Sequence, residues 1–301
     1  MDKAPASRGK LIGYLMLVIS GALYGAGFAF AKWALQELSV GEMILLRFAF
    51  ASMVLAAVFW SEARCREKPF LRADYKLFVI AAFIGIPVEF LVQFSGVART
   101  TVSHASLMVG VMPVLLAAGA ALFAHEHLNK TGWIALVTSV IGAALVAFGT
   151  GKTATNGPTV TGDLLVVASL FAGVAWMLMS QRLMAKGYST TLTTTLITLV
   201  GTIMLAFWVL PREGLPPLEK LSTRGWLSVI SMGVLSTALS SLLWNTGLKR
   251  VSASKAGVFI NIAPVVGATL GVMLFHDRVN ALAIVGGLLI IGSAITVARK
   301  S

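Results

Sequence analysis

Arg47 and Glu89 are ionisable side chains that fall well inside apolar runs. A charge in the bilayer costs a few kcal/mol on insertion scales and marks an ion pair, a relay or a substrate path. Glu89 can take a proton or a substrate amine. Arg47 lies at a similar depth, so the two can also form a structural ion pair, and sequence leaves both readings open. For Arg47 a structural role is preferred to substrate contact. Gln93 follows Glu89 at i+4 and projects from the same helical face, either as a polar stripe toward a cavity or as an interhelical hydrogen bond. Pro87, two residues before Glu89, removes a backbone donor and kinks the run.

Pro113 and Pro264 should each break a helix near mid-membrane, and the freed carbonyls need partners. Asn261, three residues before Pro264, is such a partner or a substrate contact. Asn245 is a further polar candidate near one end of its run. Tyr24 and Trp176 lie deep in their runs and could wall a cavity for an aromatic or amphipathic substrate, or simply pack. Trp60, Trp133, Trp208 and Trp226 instead look like an interfacial belt. The candidate substrate-binding set is therefore Tyr24, Glu89, Gln93, Trp176, Asn245 and Asn261. Arg47, Pro87, Pro113 and Pro264 are structural or gating candidates. His104 and Lys255 are weighed as helix-end residues, Lys255 as a snorkelling lysine.

Other chemistry is not indicated. The sequence holds no Walker motif and no nucleophile elbow. His125-Glu126-His127 lacks the i,i+4 histidine spacing of a zinc helix. One Cys and four His give no basis for a metal site, and no cofactor is expected. An enzyme would need a polar cluster at one interface, whereas Asp163, Glu213, Glu219 and Asp277 are scattered along the chain.

These residues must be positioned by membrane helices. The 301 residues are 57% hydrophobic and 12% charged, with mean hydropathy +0.87; soluble chains carry about 25% charged residues. A span needs about 20 apolar residues, and ten such runs are expected: 11–35, 40–60, 77–96, 103–124, 132–149, 162–183, 190–210, 227–248, 254–275 and 280–298. The basic start followed by an apolar run suggests a signal peptide, but the run is too long for a signal core of 7–15 residues and is read as a retained helix. The net charge of +12 fits basic cytoplasmic loops rather than nucleic-acid binding. With the N-terminus inside, sixteen Lys and Arg fall in inner segments and six in outer loops. Both termini should then be cytoplasmic.

The chain repeats itself. A shift of 151 superposes Ser103 on Ser254, Ala105 on Ala256, Pro113 on Pro264, Val114 on Val265, Ala117 on Ala268, His125 on His276 and Asn129 on Asn280, with Glu126 meeting Asp277. A shift near 149 places Gly13 on Gly162 and Ser20 on Ser169. The expected units are 1–150 and 151–301. Five helices per unit is an odd number, so the second unit enters the membrane from the opposite side. Two inverted halves give two near-degenerate packings open to opposite sides, as carriers use; channels also contain inverted repeats, so the repeat points to transport and not to one transport mode.

Several residue strings resemble a known family. The first half carries Tyr24-Gly25, Phe28, Lys32 and Leu45-Leu46-Arg47-Phe48, then Pro113-Val114 and Glu126. The second half carries Gly162-Asp163-Leu164-Leu165, Ala263-Pro264-Val265, Asp277 and the glycines Gly286-Gly287 to Gly292. In this order, twice over about 10–298, they resemble the ten-helix EamA-type branch of the drug/metabolite transporter superfamily. The family often has Glu where Asp277 stands. The resemblance implies an all-α bacterial inner-membrane carrier, commonly an exporter of amino acids or similar metabolites, and is similar in architecture to aromatic amino acid exporters. The expected partners are a small-molecule substrate, membrane lipids and a coupling proton, in a monomer or weak homodimer. The alternatives are a multidrug exporter and a flippase for lipid or lipid-linked sugar. Gly21-x-x-x-Gly25 and Gly267-x-x-x-Gly271 are read as close-packing surfaces.

Overall fold

The computed structural model describes residues 4–62, 72–123, 130–148, 158–248, 250, 259 and 261–300. Their secondary structure is helical, with no strand among the described residues. Helices α1 (Ala4–Ala34) and α2 (Val40–Glu62) are joined by a tight turn. Next come α3 (Arg72–Arg99), α4 in two pieces (Val102–Val109 and Met112–Phe123) and α5 (Lys130–Phe148). The second half runs α6 (Val160–Ala185), α7 (Thr190–Glu213), α8 (Thr223–Leu248), α9 (Ile262–Phe275) and α10 (Ala281–Lys300). Eight helices are long and apolar enough to cross a bilayer, and α9 and α10 supply shorter apolar helices. This is a ten-helix membrane fold. Exposed Trp60, Trp133, Trp208 and Phe207 suit a lipid-facing surface.

The break expected at Pro113 falls where the proline places it, whereas the residues before α9, where a break at Pro264 would show, lie largely outside the described residues. The α4 break occupies Gly110–Val111, and Pro113 lies in the first turn of the half-helix after it. Pro264 lies in the first turn of α9. A proline there forgoes an N–H that has no intrahelical partner anyway. Two further irregularities occur, one where Pro87 is expected to kink its run and one that the sequence does not mark. Ile84–Val88 in α3 and Met232–Leu239 in α8 are π-helical, and Pro87 lies within the first of these segments. The two occupy equivalent places in the repeat, since 84 + 151 = 235.

Contacts between the halves obey the same symmetry. A Cβ on Gly96 (α3) would stand 2.6 Å from Gly162 O (α6); its counterpart Gly247 (α8) approaches Gly13 O (α1) at 3.2 Å. At the pseudo-twofold axis, Ser52 Oγ of α2 meets Thr202 Oγ1 of α7 at 3.0 Å, 150 residues apart. Gly142 of α5 and Gly286 of α10 lie against each other's carbonyls. Both GxxxG surfaces pack inside the molecule. A Cβ on Gly25 would stand 2.4 Å from Ala263 O, and Gly267 faces Ser106.

Candidate functional site

The two π-helical turns position the central polar groups. A π turn adds a residue and re-aims the side chains after it, a feature often found at functional sites. In α3 the turn ends at Glu89, which is 4% exposed and accepts a hydrogen bond from Trp176 Nε1 of α6. Two glycines make this possible. A Cβ on Gly173 would stand 2.8 Å from Glu89 Oε1, and one on Gly85 would stand 2.6 Å from Trp176 Cγ. In α8 the turn presents Thr237, whose Oγ1 donates to Met232 O and accepts from Arg47 Nε at 2.8 Å.

Arg47 and Glu89 therefore do not form a direct ion pair, one of the two readings that sequence leaves open, although they lie within electrostatic range. Each is drawn to a partner on the opposite half: Glu89 to Trp176 and Arg47 to Thr237. Arg47 is 3% exposed, and its guanidinium lies 4.8, 5.2 and 5.4 Å from the ring centroids of Phe90, Phe94 and Phe48. Such cation–π contacts compensate part of the lost hydration.

Beside them is a small cavity lined by Tyr24, Gly27, Phe28, Arg47, Gln93 and Phe94, with room for about one water. Symmetry accounts for its position. Gly85 faces Trp176 across α3–α6, whereas the counterparts Ser236 and Gly27 face each other across α8–α1 (85 + 151 = 236; 27 + 149 = 176). One side is filled by an indole, and the other, lacking it, borders the cavity. Among the candidates, Tyr24 and Gln93 line this cavity, Arg47 lines it as well, and Glu89 and Trp176 bond to each other next to it. The aromatic wall is formed by Tyr24, Phe28 and Phe94 rather than by Tyr24 with Trp176. Asn261 is buried at the start of α9 without capping that helix, and half-buried Asn245 lies in α8; neither lines the cavity.

Both ends of the bundle carry polar clusters that sequence reading misses. Lys186 and Tyr188, from the α6–α7 connection, hold buried Asp74 at the start of α3, with Tyr188 Oη donating at 2.8 Å. The counterpart of Lys186 is Glu37 (37 + 149 = 186), which accepts from Ser222 N at 2.8 Å and Ser222 Oγ at 2.5 Å at the start of α8. That second pair lies on the opposite face, as inversion requires. Those bonds, with the hydroxyl first and the backbone N–H second, hold the Glu37 carboxyl below its usual value. On the same face Asp163, fully buried, accepts from Thr100 Oγ1 at 2.5 Å and lies 3.0 Å from His104 Nδ1. Lys32 Nζ donates to Thr100 O at 2.7 Å, a cation at a helix C-terminus. Asp277 accepts from Ser103 N at 2.8 Å, joining α9 to α4. Asp163 and Asp277 are each visible in the sequence, but only as separate loop acids. Lys255, Glu126 and the two histidines around it lie outside the described residues. Among the described residues no three His, Cys, Asp or Glu side chains group as metal ligands.

A family model described as the EamA-like transporter family matches residues 11–148 and again 160–299. The chain belongs to the EamA-like transporter family. This EamA-like chain is 23% identical to the uncharacterized transporter YetK of Bacillus subtilis over 292 residues, covering 95% of the chain and 87% of that relative. It is 24% identical to YyaM of the same organism, also described as an uncharacterized transporter, over 94% of the chain and 92% of the relative. An uncharacterized transporter of Archaeoglobus fulgidus is 24% identical over 95% and 99% of the two chains. One solved crystal structure matches with TM-score 0.64 at 19% identity, covering 96% of this chain and 97% of that one, which shows the shared fold. The EamA-like chain is thus a drug/metabolite-transporter superfamily member with the ten-helix, two-repeat architecture.

Proposed function

We propose that the protein is a secondary carrier that exports small metabolites, amino acids with aromatic or apolar side chains foremost, by alternating access. The observation that carries this is the cavity between α1, α2 and α3 of the first half, lined by an arginine, a glutamine and aromatic rings. The substrate site is Tyr24, Gln93 and Arg47, with Glu89 and Trp176 beside them. The space takes a water and not a metabolite, so substrate entry would require the helices around it to part. The pairs Lys186–Asp74 and Glu37–Ser222 lie on opposite faces and are the contacts to break alternately. Asn245, Asn261, Pro113 and Pro264 lie on or beside the moving half-helices.

The chain would sit in the bacterial inner membrane with both termini cytoplasmic, as the Lys and Arg distribution supports. Glu89, bonded to an indole across the α3–α6 contact, would carry the coupling proton. The units 1–150 and 151–301 would rock as the two halves of a monomer or weak homodimer. Uptake into proteoliposomes of a radiolabelled amino acid panel, with and without a pH gradient, tests the reading. Flux of one class that responds to the gradient is expected. Absence of flux from folded protein for every member rejects the amino acid assignment.

A further inference from the structure

The cavity wall contains donors without acceptors. Gln93 is 1% exposed and its Nε2 has no hydrogen-bond partner. Arg47 uses Nε on Thr237, and three phenyl rings surround the guanidinium, while its terminal nitrogens make no hydrogen bond among the described residues. The Tyr24 hydroxyl likewise has no partner there. Ser236 Oγ, behind Gly27, is buried and unpartnered. Among the described residues no carboxylate lines the cavity, because Glu89 is turned to Trp176. A buried cation with no direct ion-pair contact among the described residues, Glu89 lying only within electrostatic range, next to an unsatisfied amide N–H, is a site that can take an anion.

We infer that Arg47 and Gln93 form a carboxylate-binding subsite, so that the transported class is a monocarboxylate with an apolar or aromatic body. This rests on the carrier reading above and deepens it. The guanidinium edge offers the two parallel N–H donors that a planar carboxylate accepts. Gln93 Nε2 supplies a third donor, and Phe28, Phe94 and Tyr24 supply the apolar wall. A single lining cation matches a single negative charge; a phosphate dianion would bring a second charge with no cation to meet it. An amine finds no acceptor carboxylate in this wall. The α-amino group of an amino acid is then dispensable, and its deaminated analogue binds equally well.

The test uses the full chain in detergent with four probes: 3-phenylpropionate, its primary amide, phenethylamine and phenylalanine. Affinity is read by thermal stabilisation, and flux of each probe is read in proteoliposomes. The two acids should bind within a few-fold of each other and at least about 10-fold tighter than the amide or the amine, the scale of one charge-assisted hydrogen bond. Gln93→Glu, nearly isosteric, should weaken 3-phenylpropionate at least about 10-fold by pairing with Arg47 and repelling the acid. Arg47→Lys, which keeps the charge and loses the fork, should weaken it less. Equal affinity for acid and amide, tighter binding of the amine, or no binding of the acid overturns the subsite. If any probe crosses the membrane without that preference, the subsite fails and the carrier reading stands. If none crosses although the acid binds, the carrier reading fails instead.

Discussion

Gly85→Ala probes the contact that holds Glu89 in place. The new Cβ would stand 2.6 Å from Trp176 Cγ and 3.0 Å from both Cβ and Cδ1 of that residue. These atoms are at the root of the side chain and cannot swing aside as a flexible tip would. If the indole turns away, its bond to Glu89 is lost. Overpacking costs about 1–3 kcal/mol, and a buried side-chain hydrogen bond is worth about 0.5–1.5 kcal/mol. The better helix propensity of Ala offsets up to about 1 kcal/mol. The net expectation is a loss of about 2 kcal/mol. At about 2–4 °C per kcal/mol for chains of this order, Tm should fall by roughly 4–8 °C. Trp176→Ala alone should cost about 3–5 kcal/mol, but it removes the clashing ring. The double variant should therefore be more stable than the sum of the singles implies, by about 1–3 kcal/mol. Thermal unfolding of the four detergent-purified proteins reads this directly. Additivity within about 0.5 kcal/mol, or a silent Gly85→Ala, would refute the placement of Trp176 over Gly85.

Other consequences are equally open to measurement. Glu89→Gln keeps an acceptor for the Trp176 indole, so the protein should fold while transport loses its pH dependence; an unchanged pH profile removes Glu89 from the coupling. Asp163→Ala strands the Thr100 hydroxyl and the His104 ring nitrogen in a buried site and should cost about 2–4 kcal/mol, whereas Asp163→Asn, which keeps an acceptor, should cost less in the same melting assay. Glu37 has a folded-state value below its unfolded 4.5, held down first by the Ser222 hydroxyl. Its stabilising contribution is therefore present above that pH and disappears as pH falls below it. Glu37→Gln should flatten the acid limb of a stability–pH curve, and an unaltered limb would show that the Ser222 contact is not maintained.

The spans and their two-fold repetition are legible because apolar length and charge are one-dimensional signals. Pro113 can be read as a break because proline acts on its own turn. The site is only partly legible. Tyr24 and Gln93 stand out by polarity or aromaticity at depth, and both line the cavity. Whether Glu89 pairs with Arg47 is left open by the sequence, since depth along a run says nothing of helix rotation. The π turns at 84–88 and 232–239 set that rotation, and only Pro87 hints at one of them. The Trp176–Glu89 bond depends on Gly85 and Gly173, whose meaning appears only when α3 and α6 are brought together. Asp74 with Lys186, and Asp163 with His104, lie 112 and 59 residues apart, beyond the reach of any spacing rule. The exchange of Gly85–Trp176 for Ser236–Gly27 is written in the repeat, but it requires two registers, 151 and 149, to be applied at once.

Counterflow in proteoliposomes tests the central claim most directly, because a carrier alternates between faces whereas a pore conducts freely. Vesicles loaded with unlabelled 3-phenylpropionate or phenylalanine are diluted into a trace of the labelled compound without any ion gradient. The account predicts a transient accumulation of label above equilibrium that Gln93→Glu abolishes. Monotonic equilibration without overshoot, or an overshoot untouched by that substitution, would contradict it.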